Sequence, residues 1–303
     1  MPDHRRGLLL GVGAYALWGA FPLYWPLLEP AGALEILAHR MVWSMLVMGL
    51  LVLVLRRVPQ VRAIVANRRV RLLLVVAAVT ITLNWATFIY GVNSGRVVET
   101  SLGYFINPLV TVLLGVFVLG ESLRRLQWWA LGIGGLAVVV LSIDYGRPPW
   151  IALVLAFSFG TYALAKKTAS VGPVESLAFE TALIAPFALG FLVWLSAAGR
   201  STFTGEGLGH ALLLPTTGIV TAIPLILFGA AAVRVPMVSL GLLQYLAPMI
   251  QFALGLIVFQ ESMTPGRWAG FALVWTALAV FTVEALRHRR RQLILTVAAS
   301  PAA

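Results

Sequence analysis

The sequence predicts an all-α polytopic membrane protein with ten transmembrane helices arranged as two inverted five-helix repeats. Hydrophobic residues make up 60% of the 303 residues and charged residues only 11%, whereas a soluble domain carries roughly a quarter charged residues. Apolar runs of about 20 residues, which suffice to cross the hydrocarbon core as helices, recur along the whole chain. The chain also matches itself at an offset of 140 positions.

Ten apolar runs predict the spans, and the connections between them are too short to hold a separate soluble domain. The first run stays apolar from Gly7 to Leu28 and is not followed by an A-x-A-like cleavage site. It is therefore predicted to be a span and not a signal peptide. The predicted spans are 7–26, 33–55, 70–93, 99–119, 126–143, 150–165, 174–195, 208–228, 237–259 and 267–286.

The net charge of +11 follows the predicted membrane topology and does not indicate nucleic-acid binding. With the N-terminus in the cytoplasm, most of the 22 Lys and Arg residues fall on the cytoplasmic side, including the cluster from Arg56 to Arg71. This asymmetry is the positive-inside pattern and predicts cytoplasmic N- and C-termini. The loops on the other side hold Arg96, Arg147, Arg200 and Arg267.

Several identities at one offset predict an internal repeat, beginning with Glu35–Ala38, which aligns with Glu175–Ala178. Each repeat holds five spans, and because five is odd, the second repeat enters the membrane from the opposite face. Inverted repeats are typical of secondary transporters, although channels and intramembrane enzymes also contain them. The predicted units are residues 1–145 and 146–288, followed by a disordered cytoplasmic tail at 289–303. The same offset pairs Pro108 with Pro248, Gly115 with Gly255, Glu121 with Glu261, Ser122 with Ser262 and Trp128 with Trp268.

Specific motifs are spread through both halves: EILAHRxxWS (35–44), NW (84–85), GVNSGRVVETSLGYFINPL (91–109), FSFGTYALAKK (157–167), TAIPLILFGAA (221–231) and LGLLQYLAP (240–248). On these motifs the chain resembles the RarD-type permeases, EamA-family members of the drug/metabolite transporter superfamily, over residues 7–286. The resemblance implies the ten-helix fold of that superfamily, a place in the bacterial cytoplasmic membrane, and ATP-independent transport of a small metabolite or drug-like solute. It also implies that spans three, four, eight and nine line the central cavity. The RarD name is associated with chloramphenicol sensitivity.

Two ionisable residues inside predicted spans are the leading candidates for a substrate site. Arg40 interrupts the apolar stretch from Ile36 to Leu55, and Glu180 lies at the matching position of the second repeat. Such residues default to functional sites because burying them is costly; the alternatives are snorkelling of Arg40 and structural ion pairing or capping. We expect Arg40 to hold a negative group and Glu180 a positive group or a proton, which suits either a zwitterion or an anion. His39 is a candidate proton-sensitive neighbour.

Neutral polar residues within spans three, four, eight and nine form a second set of substrate-binding candidates. The alternative for each is an interhelical hydrogen bond, which contributes only about 1 kcal/mol. This set comprises Asn84, Trp85, Tyr90, Asn93, Tyr104, Asn107, Thr221, Gln244 and Tyr245.

Three prolines interrupt predicted spans and are candidate hinges: Pro108, Pro224 and Pro248. Proline removes a backbone donor and bends a helix, although a static packing kink is the alternative. Glu121 and Glu261 end spans four and nine at opposite faces and are interpreted as matched gate or loop-anchoring residues.

No cofactor is expected, because the chain has no cysteine and its four histidines show no metal-ligand spacing. H-E-x-x-H, P-loop and serine-nucleophile motifs are missing from the sequence, which argues against an enzyme. The predicted function is secondary transport, with coupling to protons and exchange as the two candidate modes. An ion or solute channel and an intramembrane enzyme are the alternatives. The expected partners are a small-molecule substrate and the lipid bilayer, without nucleic acid, and the chain is expected to be a monomer or homodimer.

Overall fold

The computed structural model describes residues 2–120, 122–232, 234–235 and 243–298, and these residues form α-helices joined by short connections. A 3₁₀-helical turn, Trp25–Leu28, extends the first helix. The helices are α1 Pro2–Tyr24, α2 Ala33–Val54, α3 Val58–Ala66, α4 Arg68–Asn93, α5 Val97–Leu119, α6 Arg125–Tyr145, α7 Trp150–Ala169, α8 Pro173–Ala197, α9 Thr202–Gly205, α10 Gly207–Leu213, α11 Thr216–Ala232, α12 Leu246–Ile257 and α13 Pro265–Ala298.

Eight stretches of the described chain are long and apolar enough to cross a membrane as helices. Each of these eight stretches coincides with a predicted span, and two of the ten predicted spans have no counterpart among them. The predicted span at 150–165 does form a helix, α7, but the last turn of this helix carries Lys166 and Lys167, and the helix is not among those eight. The predicted span at 237–259 is described only from 243 onward, where α12 is a shorter apolar helix. The prediction of an all-helical polytopic membrane protein is confirmed.

The long helices alternate in direction and define two faces of the bundle. We call the face where α1 begins the N-terminal face and the opposite face the distal face. On the N-terminal face α2 ends and α4, α6 and α8 begin; on the distal face α2, α5, α7, α11 and α13 begin. Opposite ends of the bundle therefore carry separate sets of loops.

Helices from the two ends of the chain interlock. Helix α7 packs against both α4 and α5, α8 packs against α2, α1 packs against α11 and α12, and α13 packs against α6. One apolar core lies between α1, α2, α4 and α8 and includes Trp25, Ile36 and Met41. A second core, between α5, α6, α12 and α13, includes Phe105 and Phe271.

The α5–α7 contact depends on a glycine. A Cβ at Gly103 would lie 2.8 Å from the Ala152 carbonyl oxygen and 2.8 Å from the Leu155 Cβ. Small residues at such crossings let helix backbones approach closely, which replaces the hydrophobic drive that is missing between helices in lipid.

The last helix extends into the predicted C-terminal tail. Helix α13 continues to Ala298, so its bounds include residues 289–298. The physical reason is that the segment following Arg287 contains no glycine or proline until Pro301, so nothing in it breaks the helix. Residues 299–303 lie outside the described residues.

We expect Gly103→Ala to lower the free energy of unfolding by about 1–3 kcal/mol, because the added methyl group has backbone on one side and cannot be accommodated by a rotamer change. Gly49→Ala is the matched control: it is also a helical glycine, and no atom lies within 4 Å of a Cβ there. Thermal unfolding of the detergent-solubilised protein measures both. Equal midpoints for the two variants would contradict the close packing at α5–α7.

Candidate functional site

Arg40 lies in a box of aromatic rings at the centre of the first apolar core. Its side chain is buried, with 3% of the residue exposed. The guanidinium carbon lies 3.8 Å from the centroid of the Trp85 ring, 5.0 Å from that of Trp25 and 5.8 Å from that of Phe21. We call these four residues the Arg40 box. It joins α1, its 3₁₀ extension, α2 and α4.

The guanidinium of Arg40 is not satisfied by hydrogen bonds. Its Nε and Nη1 atoms are buried and have no hydrogen-bond partner, and no carboxylate of the described residues forms an ion pair with it. Ring faces attract a desolvated cation by about 2 kcal/mol, whereas an uncompensated buried charge costs several kcal/mol. The box therefore orients a positive charge without neutralising it.

Asn84 holds the wall of the Arg40 box in place. Its Nδ2 donates to the Leu155 carbonyl at 3.0 Å and to Ser158 Oγ at 3.1 Å, while its Oδ1 accepts from the Tyr104 hydroxyl at 3.0 Å. These bonds tie α4 to α7 and α5, beside Trp85. The structure thus brings the predicted residues Asn84 and Tyr104 together, and it uses their polar atoms between helices.

His39 points away from the Arg40 box toward the distal face. Trp43 Nε1 donates to its Nδ1 at 3.3 Å, and its ring stacks on Phe203 with centroids 5.1 Å apart. Nearby, Glu35 accepts from the Thr202 backbone amide at 2.8 Å. The segment carrying α9 is therefore fastened over the distal end of α2.

Glu180 has its own cation. Its Oε1 lies 2.8 Å from Lys166 Nζ, and only 2% of the residue is exposed. Lys166 also donates to the Ser176 hydroxyl and lies over the Tyr162 ring, 5.2 Å from its centroid. This pair lies toward the N-terminal face, where α7 ends and α8 begins. Arg40 and Glu180 are therefore not bonded to each other.

The remaining neutral candidates are dispersed. Tyr90 is 42% exposed and packs on Trp150. Thr221 donates to the Thr217 carbonyl of its own helix at 2.8 Å. Asn93 and Asn107 each have a buried Oδ1 without a hydrogen-bond partner. Gln244 and Tyr245 are partly exposed and precede α12; Tyr245 lines a groove of about 540 Å³ together with Phe105, Met249, Phe252, Trp275, Leu278, Ala279 and Thr282.

The proposed hinge and gate residues have distinct positions. Pro108 and Pro224 lie inside α5 and α11, while Pro248 lies in the first turn of α12, where a proline costs no helical hydrogen bond. Glu261 reaches across to the start of α5 and accepts from the backbone amides of Val97 and Val98. Glu121 lies outside the described residues.

A polar cluster lies around Glu261 on the distal face. Arg147 donates to both carboxylate oxygens of Glu99, at 2.8 and 3.2 Å, and this bonding raises the pKa of Arg147. Asp144 accepts from Thr264 at 2.5 Å and from Arg267 at 3.1 Å. The first contact joins α5 to the loop between α6 and α7, and the second joins α6 to the start of α13.

Sequence reasoning included Trp85 but missed the other two aromatic walls of the Arg40 box, Phe21 and Trp25, and the cation of Glu180, Lys166. Phe21 and Trp25 lie 141 positions before Tyr162 and Lys166. The repeat register, with one inserted position, aligns these two pairs of residues, but it does not show which side chains of other helices they contact.

Comparison with known proteins assigns the family. Residues 5–143 match the EamA-like transporter family. The chain is 58% identical to Protein RarD of Streptomyces exfoliatus, over 99% of this chain and 95% of that protein. The chain belongs to the RarD proteins of the EamA-like transporter family. The chain is 40% identical to the uncharacterized transporter YojE of Bacillus subtilis (strain 168), over 95% of this chain and 97% of YojE. A protein of known crystal structure shares the fold with a TM-score of 0.58, at 19% identity, over 93% of this chain and 98% of its own.

As an EamA-family member, the protein is a multi-pass membrane transporter with bacterial relatives and not an enzyme, and its substrate is a small molecule. The predictions of family, of transporter class and of an all-helical membrane fold are confirmed.

We expect Glu261→Gln to change how stability depends on pH. Burial raises the pKa of Glu261 from its ordinary 4.5 to about 7, against the lowering effect of the Val98 and Val97 amides. The native state then holds a proton that the unfolded chain releases, so the stabilising contribution of Glu261 is complete below pH 4.5 and is lost as the pH rises to about 7. The glutamine keeps the acceptor and removes this fall, so the variant should exceed the wild type in thermal stability at pH 8. The exposed Glu206→Gln is the control, and parallel pH curves for wild type and Glu261→Gln would refute the prediction.

Proposed function

We propose that the protein is a secondary transporter that works by alternating access of two inverted five-helix halves, residues 1–145 and 146–288, with both termini in the cytoplasm. The observation that carries this proposal is the helix packing, which keeps its pattern when the two halves are exchanged. The exchange relates α1, α2, α4, α5 and α6 to α7, α8, α11, α12 and α13.

The packing pairs support this exchange one by one. The contact of α4 with α7 becomes that of α11 with α1, and the contact of α5 with α7 becomes that of α12 with α1. The contacts α2–α8, α5–α12 and α6–α13 each join two corresponding helices, so the exchange leaves them unchanged. A two-fold axis lying in the membrane plane requires this pattern of contacts.

Two side-chain pairs at opposite faces follow the same relation. On the distal face Asp144, at the end of α6, bonds to Thr264 before α13. On the N-terminal face Glu284, on α13, bonds to Arg124 before α6, with 2.7 Å between Nε and Oε1. Both partners are 140 positions from their equivalents. Corresponding pairs from the two halves thus lie at opposite faces of the bundle, which supports an inverted arrangement. The basic residues near the N-terminal face, such as Arg57, support its cytoplasmic side.

The two buried charges, Arg40 and Glu180, lie at matching positions of the repeat and have opposite signs. Arg40 is contacted by Phe21 and Trp25 from the end of the first span, and Glu180 by Lys166, at the corresponding end of α7. Each half thus places one ionisable group at a similar depth from its own face.

In this mechanism Arg40 holds a negative group of the substrate, and Glu180 binds and releases a proton. Of the two roles expected for Glu180, holding a positive substrate group or a proton, the structure favours the proton. Lys166 already occupies the place of a cation beside Glu180. Pro108 and Pro224 provide bends inside α5 and α11 about which the halves rearrange. The other substrate-binding candidates are His39, Asn84, Trp85, Tyr90, Asn93, Tyr104, Asn107, Thr221, Gln244 and Tyr245.

We expect saturable counterflow in proteoliposomes loaded with amino acids, small organic acids or chloramphenicol, and we expect Arg40→Ala to abolish it because the buried cation is the anchor for substrate. Exposed Arg200→Ala is the matched control and should exchange like the wild type. Retained counterflow at normal affinity in Arg40→Ala would make Arg40 structural. Unsaturable flux through the wild type would indicate a channel, and a chemically altered solute would indicate an enzyme.

We expect Glu180→Gln to keep counterflow and to lose uptake driven by a proton gradient, because an amide side chain cannot bind and release a proton as a carboxylate does. The comparison uses the solute that exchanges in the wild type, with and without an imposed pH gradient. Glu206→Gln, an exposed acidic position, is the control. Gradient-driven uptake at the wild-type rate in Glu180→Gln would remove Glu180 from the coupling step.

A further inference from the structure

We propose that the Arg40 box binds a small organic anion with one carboxylate and an apolar body, and not a zwitterion such as an amino acid. This inference rests on the proposed transport function, since it identifies the substrate class of the same site. The sequence left the zwitterion and the anion equally open, and the partners of the buried charges separate them.

The first step is the charge balance at Arg40. Its Nε and Nη1 donors and the nearby Trp25 Nε1 donor are buried without partners, and the three rings around the guanidinium offer the cation their faces. A carboxylate supplies both missing elements, a counter-charge and acceptor oxygens, in charge-assisted hydrogen bonds. One guanidinium without a counter-ion calls for one negative charge.

The second step is the lack of a place for an ammonium group. The Oε1 atom of Glu180, the carboxylate that matches Arg40 in the repeat, is paired with Lys166 at 2.8 Å; its buried Oε2 has no hydrogen-bond partner, but the Lys166 ammonium already supplies the positive charge. A positive group beside Arg40 would meet a like charge in a poorly solvating environment. The other buried carboxylates of the described residues are bonded within the protein: Glu35 to Thr202, Glu99 to Arg147, Glu175 to Arg57 and Glu284 to Arg124.

The third step concerns the rest of the ligand. The walls of the box are Phe21, Trp25 and Trp85. The nearest polar pair on α4 and α5, Asn84 and Tyr104, is bonded to itself and to α7. The surroundings of the guanidinium therefore favour an apolar or aromatic body over a polyhydroxylated one.

The test uses the full chain in detergent and three aromatic probes: benzoate, its neutral isostere benzamide, and the zwitterion phenylalanine. A ligand that binds the native state raises the unfolding midpoint with its concentration. We expect benzoate to raise the midpoint and to saturate, and the other two to leave it unchanged. Arg40→Gln should weaken benzoate binding by about 100-fold, while Arg200→Gln should bind like the wild type.

A second readout separates binding from a structural role. Without ligand, Arg40→Gln should melt no lower than the wild type, since it removes a buried charge that has no counter-ion. A purely structural arginine would instead give a clear loss of stability on replacement. If that variant does not fold, the ordering of the three probes on the wild type still decides the ligand class.

The opposite results are also defined. Stabilisation by phenylalanine or benzamide equal to that by benzoate, or unchanged benzoate affinity in Arg40→Gln, overturns the anion site. Counterflow of the same preparation separates the two proposals. Saturable exchange of a zwitterion without benzoate binding retains the transporter and removes the substrate class, whereas benzoate binding without exchange of any solute retains the anion site and removes the transport mechanism.

Discussion

In a hydrocarbon core every polar group must find its partner inside the protein, because no water is available to replace it. The helices meet this demand for the backbone, and buried side chains meet it where the helices end. Glu261 receives the first amides of α5, Glu35 receives the Thr202 amide, and Glu99 receives both Arg147 and the Ile151 amide. The ends of helices are thus fastened to distant parts of the chain, and the bundle is held at its faces as well as in its core.

Against this background Arg40 stands apart, because its aromatic box stabilises the cation without giving it a counter-charge. Glu180, at the same register of the other half, has Lys166. In the proposed inverted arrangement, one of the two corresponding positions thus lacks a counter-ion and the other has one. Such a difference suits a transporter in which one half binds the charged solute and the other half couples the movement.

The packing of α7 against α4 and α5 explains why the halves cannot act as independent domains. Gly103 permits the close contact of α5 with α7, and Asn84 joins α4 to both. In the proposed cycle, movement of one half must therefore displace the walls of the site formed with the other. The ties at Asp144 and Glu284 lie at the faces, far from that site, where they can hold α6 and α13 together throughout the cycle.

The sequence by itself determined the membrane class, the helical spans and the two buried charges, because hydropathy is a local property that a run of about 20 residues displays in full. Only the tertiary structure decided the partners. Lys166 for Glu180, Trp25 for Arg40 and Tyr104 for Asn84 come from other helices, and no local pattern states which helix faces will meet. The same reason placed Tyr90 at the surface although its polarity suggested a cavity. A sequence can therefore show that a charge is buried, while the fold alone shows whether that charge already has a counter-ion.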